Sequence, residues 1–274
     1  MILLKHITLI IFVLTVFLDI CVWSLDDGLA LTPPMGWRSW NSYSCDVNQT
    51  IMERIMDLMT EVHSFGAEKN ESLFKLGYKD VGLDDCWQEC GSGYNGSFHT
   101  KEGDPINNTT RFPNLSGMVK YGHDKNLTVG WYANNCYCRE LGFSSKDVER
   151  QMQGDVKATI KYNFDGIKLD GCGQKLDLIK YSELFKRQKR KILIENCHWG
   201  NDLRTPNSCP YHFARTSQDI SGQYASVGEQ FYLNLQTMAR VSGLASPGCW
   251  TYPDMLQATY IKYCFLFRKG FLKS

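Results

Sequence analysis

Short apolar runs alternate with longer stretches of helical periodicity along most of this chain. Apolar side chains recur every three to four residues across residues 51–65, which predicts a helix there. The same patterns predict further helices over residues 145–162, 176–187 and 225–240, and strands over residues 34–37, 78–83, 127–132, 166–169, 191–194, 213–214 and 241–245. A loop rich in glycine, asparagine and serine is expected from the second strand to about residue 117. Strands that alternate with helices in this way predict a parallel sheet in an α/β fold.

Polar residues collect at or just after the C-terminal ends of these predicted strands. They are Asp84, Asp85, Tyr132, Lys168, Asp170, Asn196, Arg215, Asp219 and Asp254. In a (β/α)8 barrel of the TIM type, those strand ends converge on one pocket. A doubly wound sheet would alternate in the same way, but no glycine-rich phosphate loop follows the first strand. The pattern therefore predicts a barrel with a polar pocket at one end.

Two carboxylates in this set, Asp170 and Asp219, are candidate catalytic groups. Lys168 precedes Asp170 by two residues on one strand, so both side chains point to the same side of the sheet. A neighbouring ammonium keeps a carboxylate ionised, which suits a nucleophile. An ion pair that only starts a turn is the alternative reading of Lys168 and Asp170 taken alone. Because Asp219 follows a separate strand, the two carboxylates together indicate a glycosidase.

The length and charge of the chain narrow its class further. With 274 residues, of which 43% are hydrophobic, it is long enough for one large domain with a substantial core. The formal net charge is +1, and the one long basic run, residues 186–191, is typical of a solvated helix end. These features argue against a protein that binds nucleic acid.

Residues 1–24 are typical of a secretory signal peptide that is cleaved after Ser24. Lys5 precedes an apolar core over residues 7–18. A membrane anchor is the alternative, but Asp19 interrupts the apolar run, which is too short to span a bilayer comfortably. We therefore expect no membrane association after cleavage.

The cysteines and the glycosylation sequons are typical of a protein that enters the oxidising compartments of the secretory pathway. Of the 11 cysteines, Cys21 lies in the predicted signal, and the remaining ten suffice for several disulfides. Sequons of the form Asn-x-Ser/Thr begin at Asn48, Asn70, Asn95, Asn107, Asn108, Asn114 and Asn126. The chain is therefore predicted to be a secreted or lysosomal glycoprotein.

Five motifs occur in an order that is typical of one family of glycoside hydrolases. They are Leu29-Ala30 with Pro33-Pro34-Met35-Gly36-Trp37; Asp84-Asp85-Cys86-Trp87; Lys168-Leu169-Asp170-Gly171-Cys172; Arg215 with Asp219-Ile220; and Pro253-Asp254-Met255. With these motifs, residues 25–256 resemble the secreted α-galactosidases and α-N-acetylgalactosaminidases of the melibiase family. The resemblance implies a (β/α)8 barrel that uses no metal or cofactor. It also implies hydrolysis of terminal α-linked galactose in oligosaccharides, glycolipids or glycoproteins.

The resemblance assigns catalytic roles to the two carboxylates. Asp170 matches the nucleophile that forms a covalent glycosyl-enzyme, and Asp219 matches the general acid/base. This is a retaining mechanism, which requires the two carboxyl groups to lie about 5 Å apart. One group must be protonated while the other is ionised, and Lys168 beside Asp170 would provide that asymmetry.

Further matches imply sugar-binding residues. Asp84 and Asp85 match an acidic pair that accepts hydrogen bonds from the 4-OH and 6-OH of galactose. Trp37 is expected to stack on the apolar face of the sugar, although a tryptophan without such context is more often a core residue. Other pocket positions are matched by Tyr132, Lys168, Arg215 and Asp254.

The loop after the fifth strand departs from the family pattern. It reads Asn196-Cys197-His198-Trp199, where many relatives have Cys-Glu-Trp and use the glutamate to hold the 2-substituent of the sugar. Cys197 and His198 are expected to contact the sugar here, since an imidazole can donate or accept a hydrogen bond. The loop of small residues expected of the N-acetyl enzymes is not evident. An α-galactosidase is therefore favoured, with an α-N-acetylgalactosaminidase as the alternative.

The family resemblance also implies disulfide pairs. Cys45 is expected to bond to Cys86, and Cys197 to Cys209. Cys172 is expected to bond to either Cys136 or Cys138. No partner is assigned to Cys90, Cys249 or Cys264. A zinc site at Cys136 and Cys138 is disfavoured because a one-residue gap is not the usual ligand spacing.

The last part of the chain departs most from the family. After Asp254 the family continues through an eighth strand and a small β-sandwich, whereas residues 257–274 read as a divergent tail. An incomplete barrel is therefore expected over residues 25–256, and its open edge predicts aggregation or a homodimer. A catalytically silent homologue that binds galactosides is the second functional hypothesis.

Overall fold

Seven parallel strands form the main sheet in the computed structural model, which describes residues 23–25, 27–64, 70–134, 136–205, 208–220, 224–241, 243 and 245–255. The strands are β1 (Gly36–Arg38), β2 (Asp80–Gly82), β3 (Thr128–Ala133), β4 (Gly166–Asp170), β5 (Leu193–Cys197), β6 (Phe213–Arg215) and β7 (Trp250–Tyr252). They lie in the sheet in sequence order, and each neighbouring pair is parallel. The predicted α/β barrel class is confirmed, as a curled partial barrel in the described part of the chain.

Five helices and two small strand pairs complete the described structure. The helices are α1 (Gln49–Thr60), α2 (Leu115–Asp124), α3 (Ser145–Lys161), α4 (Leu178–Lys186) and α5 (Tyr224–Val241). A short helical turn, Trp40–Tyr43, and 3-10 turns at Ser44–Asp46 and Tyr94–Gly96 lie between them. Trp23–Ser24 pairs in parallel with Ser208–Cys209, and His63–Ser64 pairs antiparallel with Asn70–Glu71. Every helix among the described residues is too short or too polar to cross a bilayer.

Polar side chains fix where several helices begin. The Asn48 side chain accepts a hydrogen bond from the Ile51 N–H at 2.9 Å, and the Asn114 side chain accepts one from the Gly117 N–H at 2.8 Å. These contacts satisfy backbone donors that a helix leaves unpaired in its first turn. Both asparagines are also sequon positions, so the same residues serve as helix caps in this fold.

Two predictions for the secondary structure are wrong. Helix α2 lies partly in the expected loop and partly in residues for which no element was predicted. The seventh strand is Trp250–Tyr252 rather than residues 241–245. Helix α5 continues to Val241. The prediction failed here because a short apolar run has no periodicity that separates helix from strand. A turn between Ser246 and Cys249, with backbone hydrogen bonds of 3.0 and 2.8 Å, then leads into the strand.

The core consists of two groups of buried apolar side chains that pack helices against the sheet. The first group packs α1 and α2 on β2 and β3 and includes Met52, Met56 and Trp131. The second packs α3 and α4 on β4 and β5 and includes Ile167 and Leu169. Since side chains alternate along a strand, packing Ile167 and Leu169 against helices turns the Lys168 and Asp170 side chains toward the barrel interior. Burial of the apolar residues thus orients the polar ones.

Four disulfides connect the described residues: Cys45–Cys86, Cys90–Cys138, Cys136–Cys172 and Cys209–Cys249. The predicted bond between Cys45 and Cys86 is confirmed, and Cys136 is the partner of Cys172. The predicted bond between Cys197 and Cys209 is wrong. The turn before β7 brings Cys249 to a Cα distance of 6.4 Å from Cys209, while Cys197 is a buried free thiol at the end of β5.

Two segments of the sequence predictions fall outside this structure. Residues 1–22 of the predicted signal peptide and the predicted tail, residues 257–274, are not among the described residues. The expectation of a missing eighth strand concerns the same C-terminal region. Trp23 and Ser24, the last residues of the predicted signal, lie in the short strand pair with Ser208–Cys209.

Candidate active site

A cavity of about 240 Å³ opens at the C-terminal ends of the sheet strands. Eight of the residues predicted from the sequence line it, namely Asp84, Asp85, Tyr132, Lys168, Asp170, Arg215, Asp219 and Asp254. The remaining lining residues are Trp40, Asn41, Cys136, Arg139, Cys172, Trp199 and Met255. The fold therefore brings together a carboxylate at the end of β4 and carboxylates from the loops after β2, β6 and β7, as the barrel hypothesis predicted.

Lys168 is a buried cation shared between two carboxylates. Its Nζ lies 2.8 Å from Asp84 Oδ2 and 3.6 Å from Asp170 Oδ2. Burial acts to lower the pKa of Lys168, but the negative charges of Asp84 and Asp170 raise the pKa well above its usual value. Burial acts to raise the pKa of Asp84. The positive charges of Lys168 and Arg38 outweigh this effect, so the pKa of Asp84 is lowered. Lys168 and Asp84 are therefore both charged at neutral pH.

Asp85 is fixed by backbone donors from a neighbouring loop. Its Oδ2 accepts hydrogen bonds from the Cys136 and Tyr137 N–H groups at 3.0 and 2.8 Å, and its Oδ1 accepts one from Gln88 Nε2 at 2.7 Å. Burial raises the pKa of Asp85, the charge of Asp84 adds to that rise, and the backbone donors oppose it. The two consecutive aspartates thus lie in opposite electrostatic surroundings.

Asp170 is held through its carboxylate by three groups, Lys168 among them, and through its backbone carbonyl by Asn134. Its Oδ1 accepts the Gly171 N–H at 2.8 Å, and its Oδ2 accepts the Tyr132 hydroxyl at 3.0 Å. Asn134 Nδ2 donates to the Asp170 carbonyl at 2.5 Å. The Tyr132 hydroxyl also lies 3.3 Å from Asp85 Oδ2, but its single hydrogen can serve one carboxylate at a time. Asp170 therefore has a fixed carboxylate that faces the cavity.

Asp219 lies in a more open environment than Asp170. Its side chain is 67% exposed, compared with 8% for Asp170. Arg215 Nη1 lies 2.6 Å from Asp219 Oδ1 and 3.6 Å from Asp254 Oδ1. Burial raises the pKa of Asp254 in spite of Arg215 and of the Ile220 N–H, which donates to it at 2.8 Å. The cavity thus combines one enclosed carboxylate with one that solvent reaches.

Comparisons with known proteins reveal one family. A family model described as Alpha galactosidase A matches residues 32–262. The chain belongs to this family. The alpha-galactosidase of Oryza sativa subsp. japonica is 30% identical over 248 residues, which cover 85% of this chain and 53% of the rice protein.

Solved structures share the fold of this alpha-galactosidase family member. Alpha-galactosidase I from Mortierella vinacea matches with a TM-score of 0.69 and 22% identity, covering 85% of this chain and 61% of that one. The alpha-galactosidase of Saccharomyces cerevisiae, solved with raffinose, matches with a TM-score of 0.63 and 21% identity. The match covers 83% of this chain and 53% of the yeast chain. The chain spans about half the length of the curated relatives that it matches.

Three residues expected at the sugar from the family resemblance lie outside the cavity lining. Trp37 packs into the first core group, with its ring edge-on to Tyr43 at a centroid distance of 6.0 Å. Cys197 is fully buried, and burial raises the pKa of its thiol. His198 is buried, and its Nδ1 lies 2.8 Å from Asp202 Oδ2. None of the three is in the set of residues that lines the described cavity.

Sequence patterns did not indicate several residues that line or support the cavity. Trp40 and Trp199 supply aromatic surface to the cavity, and Arg139 supplies a cation. Trp199 follows directly on Cys197-His198 but has a backbone φ of 51°, a left-handed conformation that turns the chain sharply. Its ring lies against Gly171, where an added Cβ would approach it to 3.2 Å. The sequence signal for Trp199 was its match to the tryptophan of the Cys-Glu-Trp pattern that many relatives have in this loop.

Cys136, Asp170 and Cys172 form the one cluster of potential metal ligands found in the described part of the chain. Their ligand atoms lie within 4.8 Å of one another. The two sulfur atoms are bonded to each other as a disulfide, so neither is a thiolate that could bind a metal. The donor set does not fit a metal ion, and the disulfide instead joins the loops after β3 and β4 beside Asp170.

A second buried polar cluster supports the loops around the cavity. His99 Nδ1 lies 2.6 Å from Glu140 Oε1, and His99 Nε2 lies 3.0 Å from Asp155 Oδ1. Lys175 pairs with Glu140 and lies 3.7 Å from Asp155, which also accepts the Tyr181 hydroxyl at 2.8 Å. Because these side chains come from α3, α4 and the loops after β2, β3 and β4, the cluster fixes those segments to one another.

Proposed function

We propose that this protein is a retaining, exo-acting α-galactosidase with Asp170 as its nucleophile and Asp219 as its general acid/base. The observation that carries the proposal is the contrast between the two carboxylates of one cavity. Asp170 is enclosed and contacts Lys168, whereas Asp219 is mostly exposed beside Arg215. A retaining glycosidase needs such a pair, one to bond to the sugar and one to transfer a proton.

In the first step, the Asp170 carboxylate attacks the anomeric carbon of an α-galactoside. The bond from that carbon to the leaving oxygen breaks, and protonated Asp219 gives its proton to this oxygen. In the second step, Asp219 takes a proton from water as the water attacks the anomeric carbon. The ester to Asp170 breaks, and α-galactose leaves with Asp219 protonated again.

The acidic pair supports recognition of galactose. Asp84 is ionised through Lys168, and ionised carboxylates are strong acceptors for sugar hydroxyls. Asp85 presents a carboxylate fixed by the backbone of the next loop. We assign these two residues to the 4-OH and 6-OH of the sugar. Tyr132, Arg215 and Asp254 line the same cavity and complete the proposed sugar-binding set.

The activity test is hydrolysis of p-nitrophenyl α-galactoside and of raffinose by the chain as it stands, with the product anomer followed by NMR. We expect α-galactose to form first and to mutarotate afterwards. First formation of β-galactose would contradict the retaining mechanism. Faster turnover of the p-nitrophenyl α-N-acetylgalactosaminide would support the alternative substrate. Calorimetric binding of galactose without turnover would support the silent homologue.

We further propose that the protein follows the secretory route to the cell exterior or the lysosome and carries N-linked glycans. Four disulfides in the described residues support this, since such bonds form in oxidising compartments. N-terminal sequencing of protein expressed in eukaryotic cells tests cleavage after Ser24, and an enzymatic deglycosylation shift tests the glycans. Light scattering of the purified protein tests the predicted homodimer.

A further inference from the structure

Three polar side chains from separate strands meet in the interior of the barrel. Arg38 from β1 donates from Nη2 to Glu195 Oε2, and Tyr252 from β7 donates from its hydroxyl to Glu195 Oε1. Glu195 belongs to β5, so these contacts cross the barrel rather than join neighbouring strands. Strands β1 and β7 lie at opposite ends of the described sheet. We call Arg38, Glu195 and Tyr252 the interior polar set.

The interior polar set is connected to the proposed sugar site through Arg38. Arg38 Nε lies 3.8 Å from Asp84 Oδ2, the oxygen that Lys168 contacts at 2.8 Å. Opposite charges therefore alternate from Glu195 through Arg38 and Asp84 to Lys168. Burial acts to lower the pKa of Arg38, but Glu195 and Asp84 raise it, so the guanidinium stays charged.

Arg38 is closely surrounded and has two carboxylates within ion-pair distance. Gly82 on the adjacent strand leaves room for the guanidinium, since an added Cβ there would come within 2.8 Å of Arg38 Nη1. Among the described residues, no hydrogen-bond partner is found for Nη1, which is buried. Only Glu195 and Asp84 form ion pairs with Arg38 in this part of the chain. If Glu195 lost its charge, Asp84 would be the remaining carboxylate within ion-pair distance of Arg38 in the described structure, while Asp80 on β2 also feels the charge of Arg38.

We propose that Glu195 is a positioning residue for sugar binding: by holding Arg38, it keeps the guanidinium from occupying the Asp84 carboxylate. This inference rests on the proposed function, in which Asp84 accepts hydrogen bonds from galactose. Without the Glu195 charge, Arg38 moves toward Asp84 and competes with Lys168 and the sugar hydroxyls for its oxygens. Tyr252 supports the same arrangement because its hydroxyl holds the other oxygen of Glu195.

Glu195→Gln is the primary test, with galactose affinity measured by calorimetry and kinetics measured on p-nitrophenyl α-galactoside. We expect the Kd and KM to rise about tenfold, the effect of losing one charge-assisted hydrogen bond to the sugar. We expect kcat to change less than about threefold, because Asp170 and Asp219 are not in contact with Glu195 in the described structure. A loss confined to kcat, or no change in affinity, would overturn the proposal.

The double variant Arg38→Met with Glu195→Gln separates positioning from general structural damage. It removes the competing guanidinium as well as the carboxylate, so galactose affinity should return to within about threefold of the wild type. Affinity no better than that of Glu195→Gln alone would contradict the proposed competition. If the double variant does not fold, as judged by its melting curve, the crystal structure of Glu195→Gln tests the proposed movement of Arg38 instead. Arg38 should then form a closer pair with Asp84 than the 3.8 Å contact seen here.

Asp57→Asn is the matched control. Asp57 is also held by one cation and one tyrosine, Lys125 at 2.8 Å and Tyr121 at 2.7 Å, but it lies on α1 away from the cavity. Its replacement should leave galactose affinity unchanged. Wild-type protein that neither binds nor hydrolyses galactosides would refute the proposed function. The crystal structure of Glu195→Gln would still test the movement of Arg38, and an unmoved Arg38 would refute this inference by itself.

Discussion

The Lys168 ammonium lies closer to Asp84 than to Asp170, although Asp170 is its neighbour on the same strand face. The distances are 2.8 Å to Asp84 Oδ2 and 3.6 Å to Asp170 Oδ2. The sequence suggests a local pair, whereas the fold makes Lys168 a link between the proposed sugar-binding acid and the proposed nucleophile. One cation therefore influences both binding and chemistry.

Replacement of Lys168 by methionine is expected to lower kcat/KM for p-nitrophenyl α-galactoside by about a hundredfold or more. The change removes a preorganised charge from a buried site, where single groups contribute effects of that size. It also raises the pKa of Asp84, because one of the two cations that oppose the effect of burial is gone while Arg38 remains. Lys157→Met, which removes an exposed partner of Asp104, is the control and should stay within about twofold. Equal losses in both variants would contradict a specific role for Lys168.

Azide distinguishes the proposed roles of the two carboxylates. Asp170→Ala should lose at least about a thousandfold in turnover. Azide should restore part of that activity and yield β-galactosyl azide, because it attacks from the side that Asp170 occupied. Asp219→Ala should instead yield the α-galactosyl azide from a substrate with a good leaving group, since the glycosyl-enzyme still forms there. NMR of the azide products measures the configuration, and the reverse assignment would show that the roles are exchanged.

Glu140 is expected to make the protein less stable in acid. Burial acts to raise its pKa, but His99 and Lys175 lower it from 4.5 to about 2. The folded state then binds fewer protons than the unfolded state near these pKa values. The contribution of Glu140 to the free energy of unfolding is therefore full above about pH 4.5 and is lost as the pH falls toward 2. It amounts to about 3 kcal/mol at pH 7.

Urea unfolding between pH 7 and pH 3 measures this effect. The free energy of unfolding should fall more steeply with pH in the wild type than in Glu140→Gln, whose side chain does not titrate. Between pH 7 and pH 3, the free energy of unfolding of the wild type should fall by about 2 kcal/mol more than that of Glu140→Gln. Asp124→Asn is the control, since it alters only the exposed pair with Lys120 and should keep the wild-type slope. Parallel curves for the wild type and Glu140→Gln would contradict the prediction.

Peptide mapping of non-reduced protein should recover Cys209 joined to Cys249. Cys197 should react with an alkylating reagent only after unfolding, since its side chain is fully buried. Replacing both Cys209 and Cys249 by serine should lower the free energy of unfolding by about 2–4 kcal/mol. Cys197 is a free thiol and forms no disulfide, so Cys197→Ser should lower the free energy of unfolding by only about 1 kcal/mol. A Cys197–Cys209 peptide would instead support the pairing predicted from the family resemblance.

The sequence determined much of the fold and most of the cavity lining. Alternating apolar segments predicted the parallel barrel, and polar residues after the strands predicted that Asp84, Asp170, Asp219 and Asp254 would meet. These predictions succeed because a parallel barrel places every strand end on one rim, so chain position alone decides which residues converge. The seventh strand and α2 were misplaced where apolar runs were too short to have a distinct period.

Contacts between residues far apart in the chain were decided by the tertiary structure alone. The pairing of Lys168 with Asp84, of Arg38 with Glu195 and of Cys209 with Cys249 joins residues separated by 84, 157 and 40 positions. No local pattern specifies such partners, because they depend on how far the sheet curls and on which side chains its interior has room for. The sequence therefore determined which charges the barrel would enclose, and packing decided how those charges are paired.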